Sequence, residues 1–256
     1  MSDSLATGRI VWHDLMTPDV DSAVSFYTKT VGWGTEPFSM GSGPAYTMWT
    51  ASGTPLGGVM GLPPALADMP SHWLAYVNVP NVDETTRQAV ALGGAVHKEP
   101  TDIPTVGRFA VISDPQGAHI CIYTPLQADT MPDAAPKLGE FSWHELTTTD
   151  IAGALEFYTK LFGWTAGPAH DMGEMGTYQI FERNGVRLGG MFTVPAGSPI
   201  PANWLSYVRV DSADKAAERV TQNGGKVLHG PMEVPDGSRI AQCRDPQGGM
   251  FAVHSM

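Results

Sequence analysis

The sequence predicts an α+β fold of four β-α-β-β-β modules, arranged as two tandem halves of a 256-residue chain. Two observations carry this. The first is an internal repeat, the sign of one supersecondary unit copied along a chain. Trp12-His13-Asp14-Leu15 returns as Trp143-His144-Glu145-Leu146, and Phe26-Tyr27, Gly32-Trp33, Gly93-Gly94 and Asp114-Pro115-Gln116-Gly117 all return after the same 131 residues. Gly57-Gly58 returns as Gly189-Gly190 after 132, which places a one-residue insertion between. The second is a fainter repeat inside each half. Pro18-Asp19-Val20-Asp21 resembles Pro80-Asn81-Val82-Asp83, 62 residues on, and the same shift carries Gly32 to Gly94 and Gly163 to Gly225.

The elements follow in order. Arg9 to Met16 has the β-branched and aromatic content of a strand. Asp19 or Asp21 can cap the next helix, on which Ala23, Phe26, Tyr27 and Val31 recur at helical spacing. Gly32 is its natural stop. Tyr46 to Thr50 and Leu56 to Leu62 read as strands around the Ser52-Gly53 turn. Trp73 to Val79 opens the second unit, and its helix, Val82 to Leu92, ends at Gly93-Gly94. Strands follow near Ala95 to Lys98, Phe109 to Ser113 and His119 to Tyr123, the last two joined by the Asp114-Pro115-Gln116-Gly117 turn. Pro125 to Gly139 is rich in Pro, Ala and Asp and lacks periodicity, so it reads as a linker between domains 1–124 and 140–256.

Composition narrows the function. A hydrophobic content of 42% with 16% charged residues is globular. A formal net charge of -11 argues against nucleic acid and against an anionic membrane surface as partners. No stretch reaches the roughly 18 uninterrupted apolar residues of a membrane span. Met1 to Ile10 lacks a signal-peptide core. Cys121 and Cys243 form no CxxC pair and read as small buried strand residues, so a cytoplasmic location is the expectation.

The helical pattern Asp-hydrophobic-x-x-(Ala/Ser)-x-x-Phe-Tyr-x-x-x-(Leu/Val)-Gly-Trp reads here from Asp19 to Trp33. It reads again, with Phe162 at the Leu/Val place, from Asp150 to Trp164. With the Asp-Pro-Gln-Gly turn read twice, the chain resembles the vicinal-oxygen-chelate superfamily of glyoxalases, bleomycin-resistance proteins and dioxygenases. The tract Asp102 to Val111 is similar to actinobacterial two-domain glyoxalase-like proteins, among them a group of secreted mycobacterial antigens. The resemblance implies tandem glyoxalase-like domains whose modules form two half-open β-barrels with helices outside. It also implies a divalent metal on the cavity floor, held by the first and last strands of the modules. Which modules pair is left open.

Carried over residue by residue, that metal site does not close. The first-strand position lies fifteen residues before the helical Tyr, which gives Trp12 and Trp143, and by the shift of 62 Leu74 and Leu205. The last-strand position lies seven residues after the turn Asp, which gives Cys121 and Ala252, with Gly58 or Val59 and Gly190 in the other modules. Only Cys121 could ligate, and one thiolate does not make a mononuclear site. His13 and His144 neighbour the Trp positions, but strand side chains alternate faces, so both point toward the helices and read as structural or interfacial. No cofactor is therefore predicted, a divalent metal being the alternative.

Alternation instead places Trp12, Asp14, Trp143 and Glu145 toward the cavity, with His119, Cys121 and Tyr123 on one last strand and Met250, Ala252 and His254 on the other. An aromatic wall with a carboxylate suits an aromatic or cationic small molecule. Alternatively Trp12, Trp73, Trp143 and Trp204 simply fill the barrels. A buried carboxylate needs a partner, and Arg108 or Arg239 is a candidate for Asp14 and Glu145. The Gly-Gly pairs are no phosphate loop and allow a bulge or close strand approach. No nucleophile–base triad is legible. Three functions stay open: metal-independent sequestration of a small molecule; a glyoxalase-like lyase, isomerase or dioxygenase with a non-standard metal site; and an interaction protein with degenerate cavities. The expected assembly is a monomer with internal pseudo-two-fold symmetry or a homodimer.

Overall fold

A computed structural model describes residues 7–39, 46–127, 134–194 and 200–256, without the side chain of Met175. Of the predicted linker 125–139, residues 128–133 lie outside the described set, as do residues 1–6 of the N-terminal stretch. Module one comprises β1 (Ile10–Thr17), α1 (Val20–Val31), β2 (Gly34–Phe38), β3 (Tyr46–Ala51) and β4 (Thr54–Gly61). Module two comprises β5 (His72–Asn78), α2 (Val82–Ala91), β6 (Ala95–Ile103), β7 (Gly107–Ser113) and β8 (His119–Pro125). Module three comprises β9 (Phe141–Thr148), α3 (Ile151–Phe162), β10 (Thr165–Asp171), β11 (Thr177–Arg183) and β12 (Val186–Thr193). Module four comprises β13 (Asn203–Arg209), α4 (Ala213–Gln222), β14 (Lys226–Glu233), β15 (Arg239–Arg244) and β16 (Met250–Ser255). The four-module α+β architecture is thus present.

Local chemistry sets the helix ends. The side chains of Asp19 and Asp150 accept from the backbone N–H three residues on and open α1 and α3. Gly32 and Gly163, at φ 81° and 73°, close them in the left-handed region. Asn81 and Ser212 cap α2 and α4 in the same way as the aspartates.

In each module the first strand pairs in parallel with the last, and the remaining strands pair antiparallel. The strand orders are β2-β3-β4-β1-β5-β8-β7-β6 and β10-β11-β12-β9-β13-β16-β15-β14. Both sheets are eight-stranded and open, as half-barrels.

Compactness follows another grouping than the repeat. One compact unit holds modules two and three, from Leu74 and Trp143 onward. The other holds module one from Trp12, module four from Leu205, and residues 135–142. Each unit has its own core. In the first, α2 and α3 enclose Val77, Ile112, Ile120, Leu146, Phe157 and Trp164. In the second, α1 and α4 enclose Leu15, Phe26, Trp33, Val208, Val220 and Phe251. The repeated motifs make these unions. The Tyr27 hydroxyl of α1 donates to Asp245 Oδ2 at 3.0 Å, and the Tyr158 hydroxyl of α3 donates to Asp114 Oδ2 at 3.0 Å. The other oxygen of each aspartate takes two backbone N–H groups of its own turn. Trp73 and Trp204 donate to the same two tyrosine hydroxyls, at 2.9 and 3.1 Å. These two tryptophans therefore pack on the helix side. Burial raises the Asp114 and Asp245 carboxyls above the usual range, against the lowering effect of their hydrogen bonds.

Candidate functional site

The cores decide which strand face is which. Leu15 and Leu146 are fully buried among the helix-side residues. Alternation then turns Trp12 and Asp14, and Trp143 and Glu145, to the face away from the helices. There each pair meets a tyrosine from the third strand of its module. In module one, Trp12 Nε1 donates to Asp14 Oδ1 at 2.9 Å and to the Tyr46 hydroxyl at 2.7 Å, and that hydroxyl donates to Asp14 Oδ1 at 2.7 Å. In module three, Trp143 Nε1 donates to the Tyr178 hydroxyl at 2.8 Å, which donates to Glu145 Oε2 at 3.0 Å.

The Gly-Gly pairs make room for this. Gly58 is the register partner of Asp14, and Gly190 that of Glu145. A Cβ on Gly58 would fall 2.0 Å from the Tyr46 hydroxyl oxygen, and one on Gly190 would fall 2.1 Å from a Tyr178 ring carbon. Their neighbours Gly57 and Gly189 permit close strand approach, because a Cβ would meet the carbonyl oxygens of His13 and His144 at 2.2 and 1.8 Å. Only glycine leaves that space.

Asp14 and Glu145 are 4% and 7% exposed, while the tryptophans and tyrosines are half-buried. Burial pushes both tyrosine phenols well above their ordinary range, and the adjacent carboxylates push them further. Tyr46 and Tyr178 therefore act as protonated donors, and each hydroxyl also accepts an indole N–H. The cluster fixes the indole ring and leaves an aromatic wall beside an acid.

The expected arginine partners go elsewhere. Arg108 grips Asp83 at 2.8 and 2.9 Å and also Asp102 at 2.7 Å, while Arg239 grips Asp214 at 2.7 and 2.8 Å. Both Asp83 and Asp214 stand in the first turn of a helix. A bidentate pair tied to a helix start wins over a reach to the other face. His13 stacks on Phe141 with ring centroids 3.6 Å apart. His144 Nδ1 lies 3.3 Å from the Leu188 carbonyl, and burial lowers its pKa to about 4. Both histidines are buried on the helix side.

The remaining candidates lie on the last strands. His119, Cys121 and Tyr123 share the helix-free face of β8, since Ile120 and Ile122 belong to the core. The Tyr123 hydroxyl donates to the Val106 carbonyl at 3.1 Å. His254 is held at the end of β16, its Nδ1 3.0 Å from Ser142 Oγ. Both cysteines are buried, and neither is in a disulfide. Sequence reasoning missed Tyr46 and Tyr178, although they repeat with the 132-residue shift of the Gly-Gly pairs.

The model of the Glyoxalase/Bleomycin resistance protein/Dioxygenase superfamily matches residues 9–122 and 140–253. The chain belongs to this superfamily. It is 40% identical over 246 residues to a Mycobacterium tuberculosis protein named "Putative glyoxylase CFP32", covering 94% of this chain and 92% of the relative. It is 29% identical over 262 residues to the anthracycline biosynthesis protein DauV of a Streptomyces species, covering 97% and 93%. Its fold matches the Mn(II)-bound glyoxalase of Novosphingobium aromaticivorans with a TM-score of 0.66 at 17% identity, covering 98% of this chain and 82% of that one.

Membership brings the superfamily's metal site into question, and the residues here do not fit it. The first-strand positions carry two indoles and two leucines. At the last-strand position of module one, Gly58 has no side chain and the Tyr46 ring stands against it; Gly190 and Tyr178 repeat this in module three. Among the described residues no three His, Cys, Asp or Glu side chains are gathered as a metal would need. No described helix is long and apolar enough to cross a membrane.

Proposed function

We propose that this chain is a metal-independent binding protein that sequesters an aromatic or cationic small molecule. The observation that carries this reading is the Trp–Tyr–carboxylate cluster at vacated ligand positions, built twice. An indole whose N–H is spent inside the protein offers its π face, and the adjoining carboxylate favours positive charge.

Untagged protein tests the reading in two steps. Elemental analysis is expected to find less than stoichiometric transition metal. N-Methylquinolinium, a planar aromatic cation, is expected to raise the melting temperature, since a ligand bound to the native state stabilises it. Trp12→Ala should weaken its affinity about ten-fold, the worth of one stacked cation–π contact. Stoichiometric Fe, Mn, Ni or Zn held by protein side chains would overturn the proposal, as would unchanged affinity in both Trp12→Ala and Trp143→Ala.

A further inference from the structure

We infer a second ligand site, beside α1 and α4 in the compact unit that joins modules one and four: a cavity for a small phosphate monoester. It goes beyond the tryptophan clusters and does not rest on them. The cavity measures about 380 Å³, within the ordinary size of small-molecule sites. It lies where the C-terminal end of α1, the end of β13, α4 and residues 138–139 come together. All of these belong to that one unit.

Three cations line the cavity: Lys29, Arg209 and Arg219. The whole chain has 15 Lys and Arg against 26 Asp and Glu, so this gathering of positive charge runs against the composition. The lining holds a single acid among the described residues, Asp211, whose Oδ1 lies 3.4 Å from Arg219 Nη2. Lys29 and Arg209 have no carboxylate partner among the described residues. Backbone holds the two guanidiniums instead. Arg219 Nε donates to the Thr30 carbonyl at 2.8 Å, and Arg209 Nη1 donates to the Pro136 carbonyl. The first of these bonds covers the carbonyl end of α1, which would otherwise repel an anion. A guanidinium has five N–H donors, so both keep some for a ligand. Val31, Val210 and Leu138 supply the apolar part of the lining, and Leu138 is 57% exposed. Planar guanidinium forks match phosphate oxygens, and three cations against one acid favour a dianion over a monoanion. The aliphatic side chains suit a hydrocarbon group on the ester.

The other compact unit supplies the control. There the Gly8 N–H donates to the Asn78 carbonyl, as the Gly139 N–H does to that of Arg209, both at 2.8 Å. Trp164 donates to the Gly8 carbonyl as Trp33 does to that of Gly139. The repeat shift exchanges Arg209 for Asn78, Arg219 for Gln88, Leu138 for Thr7 and Asp211 for Pro80. Only Lys29 keeps its charge, as Lys160, and that ammonium is paired with Glu156. The frame is the same and the free positive charge is gone. Those residues are therefore substitutions that this scaffold already accepts.

Calorimetric titration with n-butyl phosphate and with inorganic phosphate tests the inference, at about pH 8, above the second phosphate pKa of roughly 6. The ester is expected to bind at least about ten-fold more tightly than the free anion, because its chain covers the aliphatic lining. Arg209→Asn and Arg219→Gln should each weaken both probes at least about ten-fold, the worth of a hydrogen bond to a charged group. Leu138→Thr should weaken the ester alone. Lys29→Gln, at an exposed position, should weaken both probes, whereas Lys160→Gln, the same change in the other unit, should weaken neither. Full retention of butyl phosphate binding in Arg209→Asn and Arg219→Gln overturns the site. So does equal loss in Lys29→Gln and Lys160→Gln, or failure of the ester to bind at millimolar concentration. Equal affinity for the two probes overturns the assignment to an ester. N-Methylquinolinium binding tracks the tryptophan clusters, so either proposal can fall while the other stands.

Discussion

In module one the indole of Trp12 reaches both Asp14 and Tyr46, and the three groups close a ring of hydrogen bonds. In module three the carboxylate is Glu145, one methylene longer, and the indole of Trp143 reaches Tyr178. Tyr178 then hands the connection on to the acid. The parts held in common are a Trp, a Tyr and the glycine pair that makes space for them. What differs is which group bridges to the carboxylate. The shared part is steric and the variable part is hydrogen bonding, so the two modules should respond alike to crowding and differently to loss of a hydroxyl. Modules two and four go further, keeping strands, helix caps and the bulge of β6 and β14 while exchanging most side chains of the helix-free face, Tyr76 and Tyr207 excepted.

Crowding should have the largest effect. Gly189→Ala places a Cβ 1.8 Å from the His144 carbonyl oxygen and 2.6 Å from the Phe181 ring, and Gly57→Ala places one 2.2 Å from the His13 carbonyl oxygen. Backbone cannot yield as a flexible side chain can, so each should cost at least about 3 kcal/mol, the upper range of overpacking. Gly189→Ala is expected to be the worse of the two. Denaturant titration of both variants checks this, and a loss below about 1 kcal/mol in either would break the claim of a common steric frame.

The next effect is a pH dependence set by the first strand of module three. His144 is buried neutral, with its pKa lowered to about 4 by desolvation. In the unfolded chain it protonates near 6.5. The unfolded state thus binds the extra proton, and stability falls as pH drops from about 6.5 to about 4, by on the order of 2–3 kcal/mol. Asp114 and Asp245, whose carboxyls are raised, work in the opposite direction, since their folded state binds protons first. His144→Leu should therefore flatten the histidine's share of the acid limb. Melting temperatures measured between pH 7 and pH 4 test this, and an unchanged slope would place the pH dependence elsewhere.

Much of this frame is legible in the sequence. The repeat, the Asp19 and Asp150 caps, the Gly32 and Gly163 stops and the Asp-Pro-Gln-Gly turns are local signals, because each is satisfied by atoms a few residues away. Trp12 and Asp14 are placeable on one face for the same reason. The union of module one with module four is not legible. It rests on contacts such as Tyr27 to Asp245, which no periodicity encodes. The strand β2 escaped because Gly34 to Phe38 is an exposed edge with a proline and no alternation. Arg108 and Arg239 were natural partners for buried acids until the helix starts at Asp83 and Asp214 claimed them. Tyr46 and Tyr178 look like ordinary strand aromatics until Gly58 and Gly190 show why no Cβ stands beside their rings.

The smallest predicted effect is the most discriminating. Tyr46→Phe removes the hydroxyl that bridges Trp12 and Asp14, but Trp12 Nε1 already lies 2.9 Å from Asp14 Oδ1 and can keep that bond. Tyr178→Phe removes the link through which Trp143 reaches Glu145, so indole and acid are separated at once. A hydrogen bond to a charged group is worth roughly 1.5–3 kcal/mol and a compensated one about 1. The loss in module three should therefore exceed that in module one by roughly 1 kcal/mol. The Trp12→Phe/Tyr46→Phe and Trp143→Phe/Tyr178→Phe double-mutant cycles read the difference directly. Coupling should be strong in module three, where the tyrosine alone carries the indole's bond, and weaker in module one, where the indole has a second acceptor. Equal coupling in the two cycles would mean that the extra methylene of Glu145 changes geometry without changing how the cluster holds its tryptophan.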